Sequence, residues 1–214
     1  MCGIIGYAGG RDAAPILFSG LKNLEYRGYD SCGIATVHEG KLHLKKDAGK
    51  IDEVHKKHSL DSMPGKAGIA HTRWATHGGV TKENAHPHVS NNGKIAVVHN
   101  GIIENFQMQK DFLKGKGFVF NSETDTEVIP NVIEYHMRRG YDFIEAAKRS
   151  LKHMKGQYAI VAINDEGKLV AVRKETPLVL GVGDNEYFLA SDVTAFLEHT
   201  KNAIFLEEND MVTV

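Results

Sequence analysis

Short apolar runs separated by polar turns recur along the chain and predict β-strands, several of them paired as hairpins. One such hairpin turns at Glu39 and Gly40, and another turns at residues 164–167. The predicted strands cover residues 3–8, 34–38, 41–46, 67–72, 94–99, 158–163, 168–172, 178–183, 186–190 and 203–206.

Other stretches repeat apolar residues every three or four positions, which predicts helices that cover a sheet with one face. The first follows Asp12, a residue type that favours the N-cap position, and it has Pro15 in its first turn. Two more lie at residues 127–136 and 143–151. Because most predicted strands connect through hairpins rather than through helices, we expect antiparallel sheets with helices on their outer faces.

The polar stretch at residues 73–93 is predicted to be a long loop, and a loop of this length inside a compact domain is usually functional or mobile. Elsewhere the chain has no repeat, no low-complexity segment and no linker rich in Pro, Gly or Ser. Residues 1–214 are therefore expected to form one domain.

The composition of the chain argues against several classes of binding partner. The net charge of −1 gives no basic surface for nucleic acid or anionic membranes, and no apolar run approaches the ~20 residues of a membrane helix. Cys2 and Cys32 are too few for a disulfide framework, and no signal-peptide pattern opens the chain. We therefore expect a cytoplasmic protein that binds any anionic ligand through local groups.

Cys2 follows the initiator methionine and is followed by Gly3, which has no side chain to crowd it. Removal of Met1 would leave a thiol and a free α-amine on one residue. An α-amine titrates near pH ~7.7–8.0 and a free thiol near ~8.5, so the amine is suited to act as the base for a thiol nucleophile. The alternative interpretation is that position 2 simply accepts a small residue.

Several side chains with useful chemistry lie where the predicted strand at 67–72 ends. Arg73 carries a guanidinium that binds carboxylates through two hydrogen bonds, and Trp74, Thr76 and His77 follow it. This segment is a candidate carboxylate-binding site.

Asn100 and Gly101 end the predicted strand at 94–99 and allow two interpretations. A side-chain amide beside a glycine N–H provides two donors for a developing oxyanion. Asn-Gly is also the commonest dipeptide of tight hairpin turns.

The acidic segment at 122–127 precedes a predicted helix and fits a capping box, formed by Ser122 with Asp125 or by Thr124 with Glu127. Capping does not explain the repeated acidic residues, and Asp125 could instead pair with a substrate ammonium. The segment at 26–31 contains Arg27 and, by itself, indicates only a loop.

Histidines are concentrated between His71 and His99, including His86 and His88. A metal site is an alternative interpretation, but no pair has the i, i+4 helical spacing of a His-Glu-x-x-His site, and Pro87 extends the chain between two of them. We expect no metal and no other cofactor.

Five segments, in this order, resemble the glutaminase domain of the glutamine:fructose-6-phosphate amidotransferases, a branch of the N-terminal-nucleophile (type 2) glutamine amidotransferases. The resemblance covers nearly the whole chain. The opening Cys-Gly-Ile and the Asn-Gly dipeptide are shared across the superfamily, whereas the longer runs indicate this branch. The segments are residues 2–6, 26–31, 71–78, 99–101 and 122–127.

The resemblance implies a four-layer αββα sandwich of two antiparallel sheets between helices. It also implies that Cys2 attacks the carboxamide of L-glutamine, that ammonia leaves, and that water hydrolyses the thioester to glutamate. The Asn100 side chain and the Gly101 N–H would form the oxyanion hole.

The resemblance further implies how the substrate is held. Arg73 would bind the α-carboxylate of glutamine, and Asp125 would bind its α-ammonium. Further residues would line the pocket or, in the case of Arg27, support the nucleophile: Trp74, Thr76, His77 and Arg27.

Family members continue into a sugar isomerase part that receives the ammonia, and that part is absent from this chain. The resemblance therefore implies an isomerase domain or subunit as partner. The alternative is a catalytically silent regulatory module that senses glutamine or delivers ammonia, which would bind glutamine without producing glutamate.

Overall fold

A computed structural model describes residues 2–75 and 78–214. The β-strands are β1 (Gly3–Ala8), β2 (Ser31–His38), β3 (Lys41–Ala48), β4 (Ala67–Arg73), β5 (His88–Val89), β6 (Ile95–Ile103), β7 (Gly156–Asn164), β8 (Leu169–Lys174), β9 (Val179–Val182), β10 (Tyr187–Ala190), β11 (Ala203–Phe205) and β12 (Met211–Thr213). The α-helices are α1 (Ala13–Asn23), α2 (Ile51–His58), α3 (Phe106–Lys114), α4 (Val128–Met137) and α5 (Phe143–Leu151).

The strands form two antiparallel sheets. Within the described ranges, the first sheet has seven strands in the order β11-β9-β10-β1-β4-β2-β3, and the second has five in the order β12-β8-β7-β6-β5. In the centre of the first sheet, β1 pairs with β4 so that Gly3 lies opposite Thr72. This register places the start of the chain beside the end of β4.

Apolar residues fill the space between the sheets and the space between each sheet and its helices. Ile4 and Ile69 of the first sheet belong to the same buried cluster as Val98 and Val161 of the second. Helix α1 packs on the outer face of the first sheet, and α4 and α5 pack on that of the second. Each fully buried aliphatic side chain contributes about 1.5–3 kcal/mol. The predicted αββα sandwich is confirmed.

Alternation along the strands determines which side chains meet between the sheets. On β4, Ile69 belongs to the inter-sheet cluster, so His71 and Arg73, two and four residues further on, share its face. On β6, Val98 belongs to the same cluster, so Asn100 also faces the opposite sheet. Polar groups from both sheets therefore meet where the apolar core ends.

The hydrophobic pattern missed α2 and α3 because each helix buries only two side chains, Ile51 and Val54 in α2 and Gln109 and Leu113 in α3. Such narrow stripes are hard to distinguish from a polar loop. The pattern also missed β12, and it ended β6 too early.

Asp12 occupies the predicted N-cap position of α1, but its side chain accepts no capping hydrogen bond. The N–H of Ala13 instead donates to the carbonyl of Gly65 at 2.9 Å, so a neighbouring loop satisfies this end of the helix. Among the described residues, no helix has both the length and the apolar character needed to span a bilayer.

Candidate active site

Cys2 lies immediately before β1, next to the peptide that follows β4. The backbone N–H of Trp74 donates to the sulfur of Cys2 at 3.2 Å, and the thiol lies 3.5 Å from the carbonyl oxygen of Trp74. Burial raises the pKa of the Cys2 thiol, and the hydrogen bond from the Trp74 N–H opposes this increase. The thiol is therefore protonated at neutral pH and needs a base to become a nucleophile.

The loop that follows α1 fixes the Arg73–Trp74 peptide in place. The hydroxyl of Thr72 donates to the carbonyl of Gly28 at 2.6 Å, and the Ala75 N–H donates to the carboxylate of Asp30 at 2.8 Å. The sequence indicated only a loop here, because these contacts join residues more than forty positions apart.

Gly28 is needed for its lack of a side chain. A Cβ at this position would lie 2.6 Å from the backbone nitrogen of Trp74, which is too close for any side chain. We therefore expect Gly28→Ala to push away the peptide that contacts the thiol, to destabilise the fold by about 1–3 kcal/mol and to lower turnover by roughly 10²-fold. Thermal unfolding and glutamine turnover measure both effects.

Gly10→Ala is the matched control, because a Cβ there meets no atom within 4 Å. This variant should melt and turn over like the parent. A Gly28→Ala protein with parental turnover would show that the position of the Arg73–Trp74 peptide does not matter for activity.

Asn100 belongs to the continuous strand β6 and pairs with Ala159 of β7. Its amide nitrogen donates to the carbonyl of Cys2 at 2.8 Å, and its oxygen lies 3.0 Å from Nε2 of His71. The turn interpretation is wrong, because β6 continues past this residue to Ile103. The Asn100 amide is therefore hydrogen-bonded to the same residue that carries the thiol.

Gly101 follows with a φ of +118°, in the region that favours glycine. A Cβ on Gly101 would lie 2.0 Å from the carbonyl oxygen of Gln157 in the paired strand. Both the backbone conformation and the close approach of β7 therefore require glycine beside Asn100.

Arg73 and Asp125 line one cavity together with Cys2, Trp74 and Gly101. The Arg73 guanidinium donates to the carbonyl of Gly79 at 3.1 Å. The Asp125 carboxylate accepts a hydrogen bond of 2.7 Å from the N–H of Ile103, which fixes it at the end of β6. A cation and an anion in one cavity suit a zwitterionic ligand such as an amino acid.

The capping-box interpretation of the segment at 122–127 is wrong, because a 3₁₀ turn at Asp125–Glu127 precedes α4 and no side chain caps it. Glu127 instead accepts hydrogen bonds from the N–H and the hydroxyl of Ser122, at 2.7 and 2.6 Å, and from the N–H of Asn121 at 2.9 Å. These bonds close the loop and hold Asp125 toward the cavity.

Arg27 is not brought to the cavity around Cys2. Its guanidinium donates to the carboxylate of Asp192 at 2.8 Å and to the hydroxyl of Tyr26 at 3.2 Å. It lines a different cavity, with Asp192 and Phe205. Thr76 and His77, the other predicted pocket residues, lie outside the described residues.

His71, His86, His88 and His99 are all buried, and the rings of His71 and His86 lie 4.1 Å apart between centroids. Burial lowers the pKa of His71 to about 3 and also lowers the pKa of each of the other three. Within residues 2–75 and 78–214, no three His, Cys, Asp or Glu side chains converge as metal ligands. The sequence singled out these histidines without indicating the bond from His71 to Asn100.

Comparison with known proteins gives consistent matches. The profile of a glutamine amidotransferase domain matches residues 71–198. A glutamine--fructose-6-phosphate aminotransferase [isomerizing] from Pyrococcus horikoshii is 53% identical over 98% of this chain. One from Clostridium perfringens is 48% identical over 100% of it. The chain spans 36% and 35% of the lengths of these two relatives.

A solved structure of glutamine phosphoribosylpyrophosphate amidotransferase from B. subtilis is also similar. It is 30% identical, with a TM-score of 0.86, over 99% of this chain and 47% of that chain. This similarity extends to the arrangement of the two sheets and their helices.

Proposed function

Because the chain belongs to the glutamine amidotransferase domain family, we propose that it hydrolyses L-glutamine to L-glutamate and ammonia, with Cys2 as the nucleophile. The observation that carries this proposal is the cavity that Cys2 lines together with the oppositely charged side chains of Arg73 and Asp125. Glutamine is a zwitterion with an uncharged carboxamide, and this set of groups complements all three of its functional groups.

The two charged residues orient the substrate. Arg73 binds the α-carboxylate, and Asp125 binds the α-ammonium. This arrangement leaves the carboxamide directed at Cys2. Fixing both ends of a small substrate converts the attack into an intramolecular step with aligned atoms. As the family resemblance implies, the proposal also includes Thr76 and His77 among the residues of the substrate pocket.

The reaction proceeds by formation and hydrolysis of a thioester. After removal of Met1, the α-amine of Cys2 takes the thiol proton while the sulfur bonds to the carboxamide carbon. The amine then gives that proton to the leaving nitrogen, the C–N bond breaks and ammonia departs. Water then adds to the thioester carbon and gives a proton to the α-amine, the C–S bond breaks, and the amine returns the proton to the sulfur, which releases glutamate and regenerates the thiol.

The amide nitrogen of Asn100 and the N–H of Gly101 stabilise the oxyanion in both steps. The amide nitrogen of Asn100 has two hydrogens, and the described contact with the carbonyl of Cys2 uses one of them. The second is the donor for the oxyanion. Such donors are most effective in a site that excludes water, and Asn100 is only 5% exposed.

The ammonia is passed to a sugar isomerase partner that uses fructose 6-phosphate. The names of the similar relatives, which contain fructose-6-phosphate and isomerizing, support this part of the proposal, as does their greater length. The half-exposed rings of Tyr29 and Trp74 contact each other and offer an apolar surface for that partner near the cavity. We further propose that residues 1–214 form one glutaminase domain and that its location is cytoplasmic.

Replacement of Arg73 by methionine tests the proposal at the substrate. Loss of a charge-assisted contact costs about 1.5–3 kcal/mol, so KM for glutamine should rise at least roughly tenfold. The assay follows glutamate and ammonia, which the parent should release in equal amounts. A parent that binds glutamine without releasing glutamate would instead support the silent module.

Arg11→Met is the matched control. Arg11 pairs with Glu186 at 2.8 Å beyond the far end of β1, so its loss removes an ion pair without affecting the cavity. KM should stay parental in this variant. If Arg73→Met also kept the parental KM, the carboxylate site would have to be assigned to other residues.

A further inference from the structure

The bond between His71 and Asn100 connects the two sheets at the candidate active site. His71 lies on β4 of the first sheet, two residues before Arg73, and Asn100 lies on β6 of the second. Nε2 of His71 is 3.0 Å from the amide oxygen of Asn100 and 3.2 Å from the carbonyl oxygen of His99. Both groups are buried, with His71 at 0% exposure.

Both partners of Nε2 are oxygen acceptors, so Nε2 must carry the proton. The other ring nitrogen, Nδ1, is buried and has no hydrogen-bond partner among the described residues. A second proton there would place an unpaired charge in the core. The imidazole is therefore neutral, with its one proton directed at Asn100 and His99.

This proton and the carbonyl of Cys2 together determine which way the Asn100 amide is oriented. If the amide were rotated by 180°, its nitrogen would face the Nε2 proton of His71, and its oxygen would face the carbonyl of Cys2. Both hydrogen bonds would be replaced by repulsive contacts between like groups. The rotated amide would also direct an oxygen, instead of N–H donors, toward the developing oxyanion.

We propose that His71 is a positioning residue that orients the Asn100 amide so that its N–H donors face the reacting carbon. This inference rests on the proposed function, because the oxyanion that Asn100 would stabilise arises only in that reaction. His71 acts through Asn100 and does not touch the substrate. Its removal should therefore affect the transition state more than substrate binding.

The kinetic test uses the processed chain, from which Met1 has been removed, and compares His71→Phe with His71→Gln. Phenylalanine fills the ring site but has no donor, so kcat should fall at least roughly tenfold while KM stays within about twofold. The side-chain amide nitrogen of glutamine can reach the position of Nε2, so His71→Gln should recover most of kcat. His136→Phe, which alters a buried histidine of α4, controls for general destabilisation and should keep the parental kcat.

A double-mutant cycle tests whether His71 acts through Asn100. The variant with both His71→Phe and Asn100→Ala should turn over no more slowly than Asn100→Ala alone. Multiplicative losses in the double variant, or a parental kcat in His71→Phe, would overturn the positioning role.

Nitrogen NMR of the imidazole ring of His71 in the folded parent tests the same inference without any variant. Its result therefore does not depend on whether the variants fold. It should show His71 as a neutral imidazole with its proton on Nε2 throughout the pH range 5–8. A proton on Nδ1 would overturn the inference directly. A parent without Cys2-dependent turnover would remove the proposed function and the positioning role together, whereas loss of the His71 effect alone would leave the proposed function intact.

Discussion

Glutamine turnover is expected to fall at least roughly 10⁴-fold when Cys2 is replaced by alanine, because the covalent route then loses its nucleophile. The fold should persist. Gly3 and Ile4 hold the start of β1 through backbone pairing with β4, and the N–H of Ile4 donates to the hydroxyl of Ser191 at 3.0 Å. Initial rates of glutamate release, together with thermal unfolding, measure both expectations.

Retention of Met1 is expected to have a related effect, since the α-amine then lies one residue away from the thiol. Glutamine should still bind, but turnover should fall by orders of magnitude. Cys32→Ala is the matched control, because Cys32 is 1% exposed in the core and should affect only stability. Turnover that persists in Cys2→Ala would remove Cys2 from the reaction, and equal turnover with and without Met1 would remove the α-amine as base.

Asn100→Ala is expected to lower kcat by about 10²–10³-fold while KM for glutamine changes little. An oxyanion-hole donor meets full negative charge only when the carbonyl carbon becomes tetrahedral. The fold should lose only about 1 kcal/mol, because Nε2 of His71 keeps its second acceptor, the carbonyl of His99 at 3.2 Å. Measurement of kcat and KM gives the contribution of Asn100 to catalysis, and the thermal midpoint gives its contribution to stability.

Asn164→Ala provides the control for loss of a buried asparagine in the same sheet. Asn164 lies at the opposite end of β7, where its side chain accepts hydrogen bonds from the N–H groups of Glu166 and Lys168. This variant should lose stability and keep kcat. An Asn100→Gly or Asn100→Ala protein that turned over at the parental rate would remove Asn100 from the oxyanion hole.

The parts of the site that the sequence predicted lie at the ends of predicted strands and helices. Arg73 follows an apolar run and Asp125 precedes a helical stripe, so each could be placed at the edge of a layer before the structure was known. Antiparallel pairing then brings Cys2 beside the end of β4. The layer order followed from the same patterns, because hairpins predict antiparallel sheets and one-sided helices predict outer layers.

The sequence could not indicate which polar groups pair across the fold. Arg27 was expected to support the nucleophile, but its guanidinium binds Asp192, a residue 165 positions away. Asn-Gly has a strong preference for turns, yet pairing with β7 keeps Asn100 and Gly101 in a strand. At Asn100 and Gly101, these tertiary contacts override the local preference for a turn.

The two cysteines differ in their access to the candidate active site, and covalent labelling can therefore distinguish them. Cys2 lines the cavity that holds Arg73 and Asp125, whereas burial raises the pKa of Cys32 to about 12. Cys32 therefore has almost no thiolate at neutral pH.

The most direct test of Cys2 as the nucleophile is to treat the processed chain with a diazoketone analogue of glutamine and locate the adduct by peptide mass spectrometry. We expect one adduct per chain, on Cys2, that forms in step with the loss of turnover and is slowed by glutamine. An adduct on Cys32, or full inactivation with Cys2 unmodified, would contradict the assignment of Cys2 as the nucleophile.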